Sequence, residues 1–144
     1  TTAPFYQALP SQVAKALPIE LRGFEHRHVQ GVLKFHYGRP ETHYEAWHHR
    51  GQGRLEVGLH FEGSRELNRA GLDFFRAHIV EVKGGLPNAE LEPWDRGWTR
   101  LYETFPALLL DHEALEETAR RIAEYVITLK PLLDQFWRDL DGPV

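Results

Sequence analysis

Along VQGVLKFHY, the residues Val29, Gly31, Leu33, Phe35 and Tyr37 alternate with Gln30, Val32, Lys34 and His36. A period of two places the sets on opposite sides of an extended chain, so the pattern predicts a first strand over 28–37. Gly38, Arg39 and Pro40 end it. THYEAWHH resumes an extended pattern, a second strand over 42–49, and RGQG after it has the two glycines of a hairpin turn. Beyond the turn, Leu55, Val57, Leu59 and Phe61 stand against Glu56, Gly58, His60 and Glu62, predicting a third strand over 54–62.

Helical spacing frames these strands. The start is punctuated by Pro4, Pro10 and Pro18, which predicts one or two short helices burying Ala8, Leu9, Val13, Ala14 and Leu17. After Ser64, a natural cap for free helix amides, Leu67, Ala70, Gly71, Phe74, Phe75, His78 and Ile79 follow a helical stripe that ends at Gly84-Gly85. A loop through Pro87, Asn88 and Pro93 leads to a fourth strand in GWTRLYETF. Asp111 caps a long final helix carrying Leu115, Ala119, Ile122, Val126 and Leu129, which Pro131 should kink or restart before Leu132, Phe136 and Leu140. The expected fold is one α+β domain over 1–144 in the order α-β-β-β-α-β-α. Its antiparallel sheet of about four strands is covered on one face by helices. The expected core is Leu33, Phe35, Leu55, Val57, Leu59, Phe61, Phe74, Ile79, Leu115, Ile122 and Val126.

Composition narrows the chemistry. The 144 residues include no cysteine, so disulfides, thiolate nucleophiles and Cys-type zinc sites are excluded. No apolar run approaches the roughly 18 residues that span a bilayer, no segment reads as a signal peptide, and a membrane partner is not expected. The chain starts at Thr1 and has no methionine, so its natural start is expected to have been trimmed. A cytoplasmic setting is expected. The net charge is −4 with the nine histidines neutral, a balance that disfavours nucleic acid and leaves a charge that depends on pH.

Same-side spacing on a strand makes His43 with Glu45, and His60 with Glu62, two outward-facing pairs. All four are candidate ligand-binding residues and candidate metal ligands, although no HExxH or comparable motif marks them. Glu56 and His48 extend the set of possible acid/base partners, but no nucleophile is marked: Ser11 and Ser64, the only serines, both read as helix starts. The simplest expectation is a solvated polar sheet face whose charge rises below about pH 6.5. Gly51-Gln52-Gly53 joins two strands and lacks the helix a phosphate loop needs. A second candidate surface is Trp94, Arg96, Trp98 and Arg100, aromatic rings alternating with guanidinium groups.

The run from His43-Tyr44 through RLEVGLHFEGSRELN to EPWDRGWTRLYE resembles an uncharacterised prokaryotic family, domain of unknown function 4268, found near restriction and defence proteins. The resemblance implies a hairpin, a helix and a Trp-containing strand, and a nucleic-acid-associated role without a catalytic motif to transfer. The α-β-β-β-α order and acidic pI look like type III secretion chaperones, homodimers that wrap unfolded client segments. The leading expectation is a non-enzymatic ligand- or protein-binding module, a homodimer through a sheet edge or the last helix, with a protein or small anionic ligand as partner and no cofactor assigned. The alternatives are a metal-assisted hydrolase, a nucleic-acid-associated accessory domain and a client binder.

Overall fold

In a computed structural model, which describes residues 3–142, the alternating stretches pair into one antiparallel sheet. Its strands are β1 (Glu25–Val29), β2 (Val32–His36), β3 (Thr42–His49), β4 (Arg54–Phe61), β5 (Glu90–Trp94) and β6 (Trp98–Pro106), in the order β1-β2-β3-β4-β6-β5. The helices are α1 (Ala3–Ala16), α2 (Arg65–Ala77), α3 (Ile79–Gly85) and α4 (His112–Asp141). The α+β class is as expected, but the sheet has six strands rather than about four. The chain runs α-β-β-β-β-α-α-β-β-α, which departs from the order behind the similarity to secretion chaperones.

Two local features account for the extra strands. Within the expected strand 28–37, Gln30 and Gly31 take φ of 48° and 80°, the paired positive angles of a tight hairpin turn, and the chain reverses. The turn also switches sides: Val29 pairs with Val32, so Val29 lies on the face opposite Leu33 and Phe35. The stretch expected as a loop around Pro93 is instead strand β5, whose Pro93 sits on an outer edge where no ladder hydrogen bond is needed from its nitrogen.

The helices also depart from the expected breaks. α1 is one helix that runs through Pro10, and Ser11 lies inside it, donating from Oγ to the Ala8 carbonyl at 3.2 Å, rather than at a helix start. The stripe after Ser64 divides at His78, whose Nδ1 donates to the Phe74 carbonyl at 2.8 Å. α4 continues through Pro131 without a restart. Both expected caps are present: Ser64 Oγ accepts from the Leu67 amide at 3.1 Å and Asp111 from the Ala114 amide at 2.9 Å.

Register gives the sheet two unlike faces. On one, Leu33, Phe35, Tyr44, Ala46, Leu55, Val57, Leu59, Phe61 and Leu101 are buried in a core completed by α1, α2 and α4. Ile122 and Val126 are in that core as expected, whereas Phe74, Ile79 and Leu115 pack at its margin. Phe136 packs edge-on against Phe61, and Trp137 Nε1 donates to Thr42 Oγ1 at 3.3 Å, so the end of α4 is used within the chain. Leu140, in the last turn of α4, stays well exposed. The opposite face carries Lys34, His43, Glu45, Trp47, Glu56, His60, Arg100 and Tyr102.

Leu59 is fully buried at the centre of the oily face, so Leu59→Ala should cost about 2–5 kcal/mol in denaturant unfolding. Pro131 leaves the carbonyl four residues before it without its helical partner, and its side chain is exposed. Pro131→Ala should therefore raise stability in the same assay, by up to about 3 kcal/mol.

Candidate metal centre

Antiparallel pairing sets His43 directly opposite His60, and His60 opposite Arg100. Alternation then places Glu45 beside His43, and Glu56 and Glu62 on either side of His60, all on the polar face. Gly58 lies between Glu56 and His60 on that face, where β4 and β6 approach so closely that a Cβ would stand 2.5 Å from the Leu101 carbonyl oxygen. The histidines and carboxylates thus come together from two strands of one hairpin.

They are not solvated, and this corrects the expectation of a wet face. His60 is 0% exposed, Glu56 1%, His43 3% and Glu45 4%. The cover comes from long side chains of the same face. Trp94 meets the His60 ring edge to face at 5.6 Å, and Trp47 and Trp98 flank Trp94 at 6.3 and 5.8 Å between centroids. Trp47 and Trp94 stand on strands three spacings apart, about 14 Å in a flat sheet, so the rings lean inward over a concave surface.

Hydrogen bonding within the cluster demands positive charge. His43 Nδ1 donates to the Pro40 carbonyl at 2.8 Å, which turns Nε2 toward Glu45 Oε1 at 2.8 Å and Glu62 Oε1 at 3.6 Å. A bare lone pair there would face ionised oxygens. His60 has carboxylates at both nitrogens: Glu62 Oε2 lies 3.0 Å from Nδ1, and Glu56 Oε2 and Glu45 Oε2 lie 3.1 and 3.5 Å from Nε2. Neither neutral tautomer can donate to both sides. Each ring therefore needs a second cation, a proton or a metal ion, to hold this arrangement.

The ionisation equilibria follow from the same contacts. Burial works against a charged His60, but hydrogen bonds that its ring donates to Glu56 and Glu62, with the charge of Glu45, outweigh it and push its pKa up to about 9. His43 is raised in the same way, burial being overcome by Glu45 and Glu62. Burial alone would raise the carboxyl groups of Glu56 and Glu62. The histidines overcome it at both, with Arg100 and His49 assisting at Glu56, so both are lowered.

Fixed cations complete the network. Arg100 Nη1 donates to Glu56 Oε1 at 2.8 Å while its Nε and Nη2 hold Glu92 Oε1 at 2.9 and 2.6 Å, and its guanidinium stacks on Trp94 at 4.4 Å. Lys34 Nζ lies 3.5 Å from Glu62, and His49 Nε2 lies 3.1 Å from Glu56. Arg100 thus belongs to the candidate site as a counter-ion. Trp94 and Trp98 form its wall. Arg96 does not join: it is exposed in the β5–β6 turn with φ of 58°, 3.9 Å from Asp95 and 5.5 Å from the Trp98 ring. His48 points to the other face and meets the Ala107 carbonyl at 2.9 Å. Lys34 joins this face from β2, as the strand pattern allowed, whereas Trp47 and His49 were not among the sequence candidates, although both share strand parity with Glu45 and were legible as same-face on that count.

Donor atoms of His43, Glu45, His60 and Glu62 all lie within 4.8 Å of one another. An ion with N and O ligands at about 2.0–2.2 Å keeps adjacent donors about 3–3.5 Å apart. The separations of 2.8 Å from His43 Nε2 to Glu45, 3.6 Å from His43 Nε2 to Glu62 and 3.0 Å from His60 Nδ1 to Glu62 fall close to that edge length. Above the cluster is a pocket of about 280 Å³ whose lining includes Lys34, Glu45, Glu62, Trp47, Trp94 and Trp98. Comparison of the chain with protein-family models, with curated proteins and with solved structures gives no match.

The metal-free protein should show a pH optimum set by the network. His60 is raised to about 9, so its stabilising contribution is complete below the unfolded value near 6.5 and is lost as pH rises toward 9. Glu56 and Glu62 are lowered, so their contributions are complete above the unfolded value near 4.5 and are lost as pH falls below it. Denaturation midpoints measured in the presence of chelator should peak between about pH 5 and 6.5 and fall on both sides.

Proposed function

We propose that this protein is a ligand-binding module built on the polar face of its sheet, and that His43, Glu45, His60 and Glu62 hold a divalent transition metal at the floor of the Trp-lined pocket. The observation that carries this reading is the convergence of two imidazoles and two carboxylates, from paired strands, in a buried site whose lone pairs require added positive charge. A mixed nitrogen and oxygen donor set suits zinc, manganese or iron(II) better than calcium or magnesium.

The outer partners support the same reading. The Pro40 carbonyl takes the His43 Nδ1 proton and Glu56 takes the His60 Nε2 proton, the acceptors that orient metal-bound imidazoles and raise their basicity. Under this reading His43 binds through Nε2 and His60 through Nδ1, the nitrogen facing Glu62. Arg100 then keeps Glu56 ionised as an acceptor.

A second reading has one specific observation in its favour: Arg100 and Lys34 already offset part of the carboxylate charge, so two imidazolium rings would leave the network balanced without an ion. The two readings separate in one experiment. Protein stripped with chelator and dialysed against zinc near pH 7.5 should retain about one ion per chain by elemental analysis. It should gain about 2.7 kcal/mol in stability when free zinc is a hundredfold above its dissociation constant. Glu62→Gln, which keeps the side-chain shape, should lower zinc retention with the fold intact by circular dichroism. Zinc absent from the wild-type protein, with stability unmoved by the ion, would leave the protonated network in its place.

A further inference from the structure

We propose that the pocket over the cluster receives a small aromatic carboxylate, its ring against the tryptophan wall and its anionic group turned toward the metal and Lys34. This inference rests on the metal reading above and specifies what that site takes.

The walls supply the first half of the argument. Trp47, Trp94 and Trp98 contribute three indole rings to one opening of about 280 Å³. That volume is at the small end of ligand pockets, room for about one ring and its substituent. The rings are tilted rather than stacked on one another, with interplanar angles of 44° and 56°; His49 lies against Trp47 and Arg100 against Trp94, so a planar group would lie on the ring faces and edges turned to the opening. Trp94 is fixed from two sides, by the Arg100 guanidinium at 4.4 Å and by the edge-to-face His60 contact, so the wall is in place before a ligand arrives. The Trp94 indole N–H is also buried, with no partner among the described residues.

The floor supplies the second half, and it determines the sign of the ligand. Glu45 and Glu62 reach the pocket, whereas His43 and His60 lie behind them. Without an ion the floor presents carboxylate oxygens, which repel an anion. A divalent ion in place of the two imidazole protons would leave the net charge of the network unchanged but would bring positive charge forward to the carboxylates of the floor, where an anion can ligate it, and the Lys34 ammonium at 3.5 Å from Glu62 stands at the same end. An anionic group thus has Lys34 in either form but gains the metal as a partner only in the loaded protein, and by linkage it must tighten the metal in return. The apolar walls reward a ring on that anion, which distinguishes an aromatic carboxylate from acetate or inorganic phosphate.

Benzoate serves as the probe, read by quenching of tryptophan fluorescence and by calorimetry on zinc-loaded and chelator-stripped protein. Benzoate should bind the loaded protein about tenfold or more tightly than the stripped protein. Acetate should bind more weakly than benzoate, and benzylammonium should not be preferred over benzoate by the loaded protein. Trp98→Leu, outside the metal cluster, should weaken benzoate about five- to tenfold while zinc retention and acetate binding stay as in the wild type. Zinc uptake with equal benzoate affinity in both forms would overturn this inference and leave the metal reading standing. So would acetate binding as tightly as benzoate, or benzoate unaffected by Trp98→Leu. Failure of zinc uptake itself overturns the metal reading and takes this inference with it.

Discussion

Glu45, Glu56 and Glu62 are carried out of water on one face of a sheet, and each must meet positive charge there or become neutral. Much of the molecule can be understood from that demand. It places two histidines opposite one another on β3 and β4, brings Arg100 across from β6, and sets Gly58 where a side chain would force the strands apart. It also explains the covering tryptophans, because a network of charged hydrogen bonds gains strength only when water is kept from competing for them. The helices contribute indirectly, by occupying the oily face so fully that His43, Glu45, Glu56 and His60 are committed to the other one.

The network and the pocket above it share residues in a way that makes occupancy of one matter to the other. Glu45 and Glu62 are both donors of the cluster and floor of the cavity. Whatever cation fills the cluster therefore sets the field that an entering ligand feels, while Arg100 and Trp94 hold the frame unchanged. The chemistry of the site is accordingly a competition between protons and a metal for the same lone pairs.

β3 and β4 were legible because their alternation is strict and RGQG marks the reversal between them, and with these strands came His43, Glu45, His60 and Glu62 as same-face residues. Burial of that face was not legible. Its cover depends on β5, which Pro93 disguised as a loop, and on side chains leaning across three strand spacings, which no local period records. The β1–β2 turn was missed because Gln30 is an ordinary residue in a position that asparagine or glycine more often marks. Pro10 and Pro131 were over-read as breaks, since tertiary packing of α1 against α4 outweighs the hydrogen bond each proline removes. Arg96 and Arg100 looked equivalent in sequence, but the turn between β5 and β6 separates an exposed guanidinium from a partly buried counter-ion.

The strand order has a kinetic consequence. β3 and β4 form a local hairpin, so the histidines and carboxylates can meet early, with only a short loop to close. Arg100 arrives from β6, whose pairing with β4 waits for α2, α3 and β5 to be laid down between them, a closure across about 40 residues at His60–Arg100. A β3–β4 hairpin formed ahead of that closure would gather three acidic groups before their permanent guanidinium had docked. Protons on the imidazoles would then be the chief charge holding it together, and the speed of folding, not only its end point, would depend on acidity.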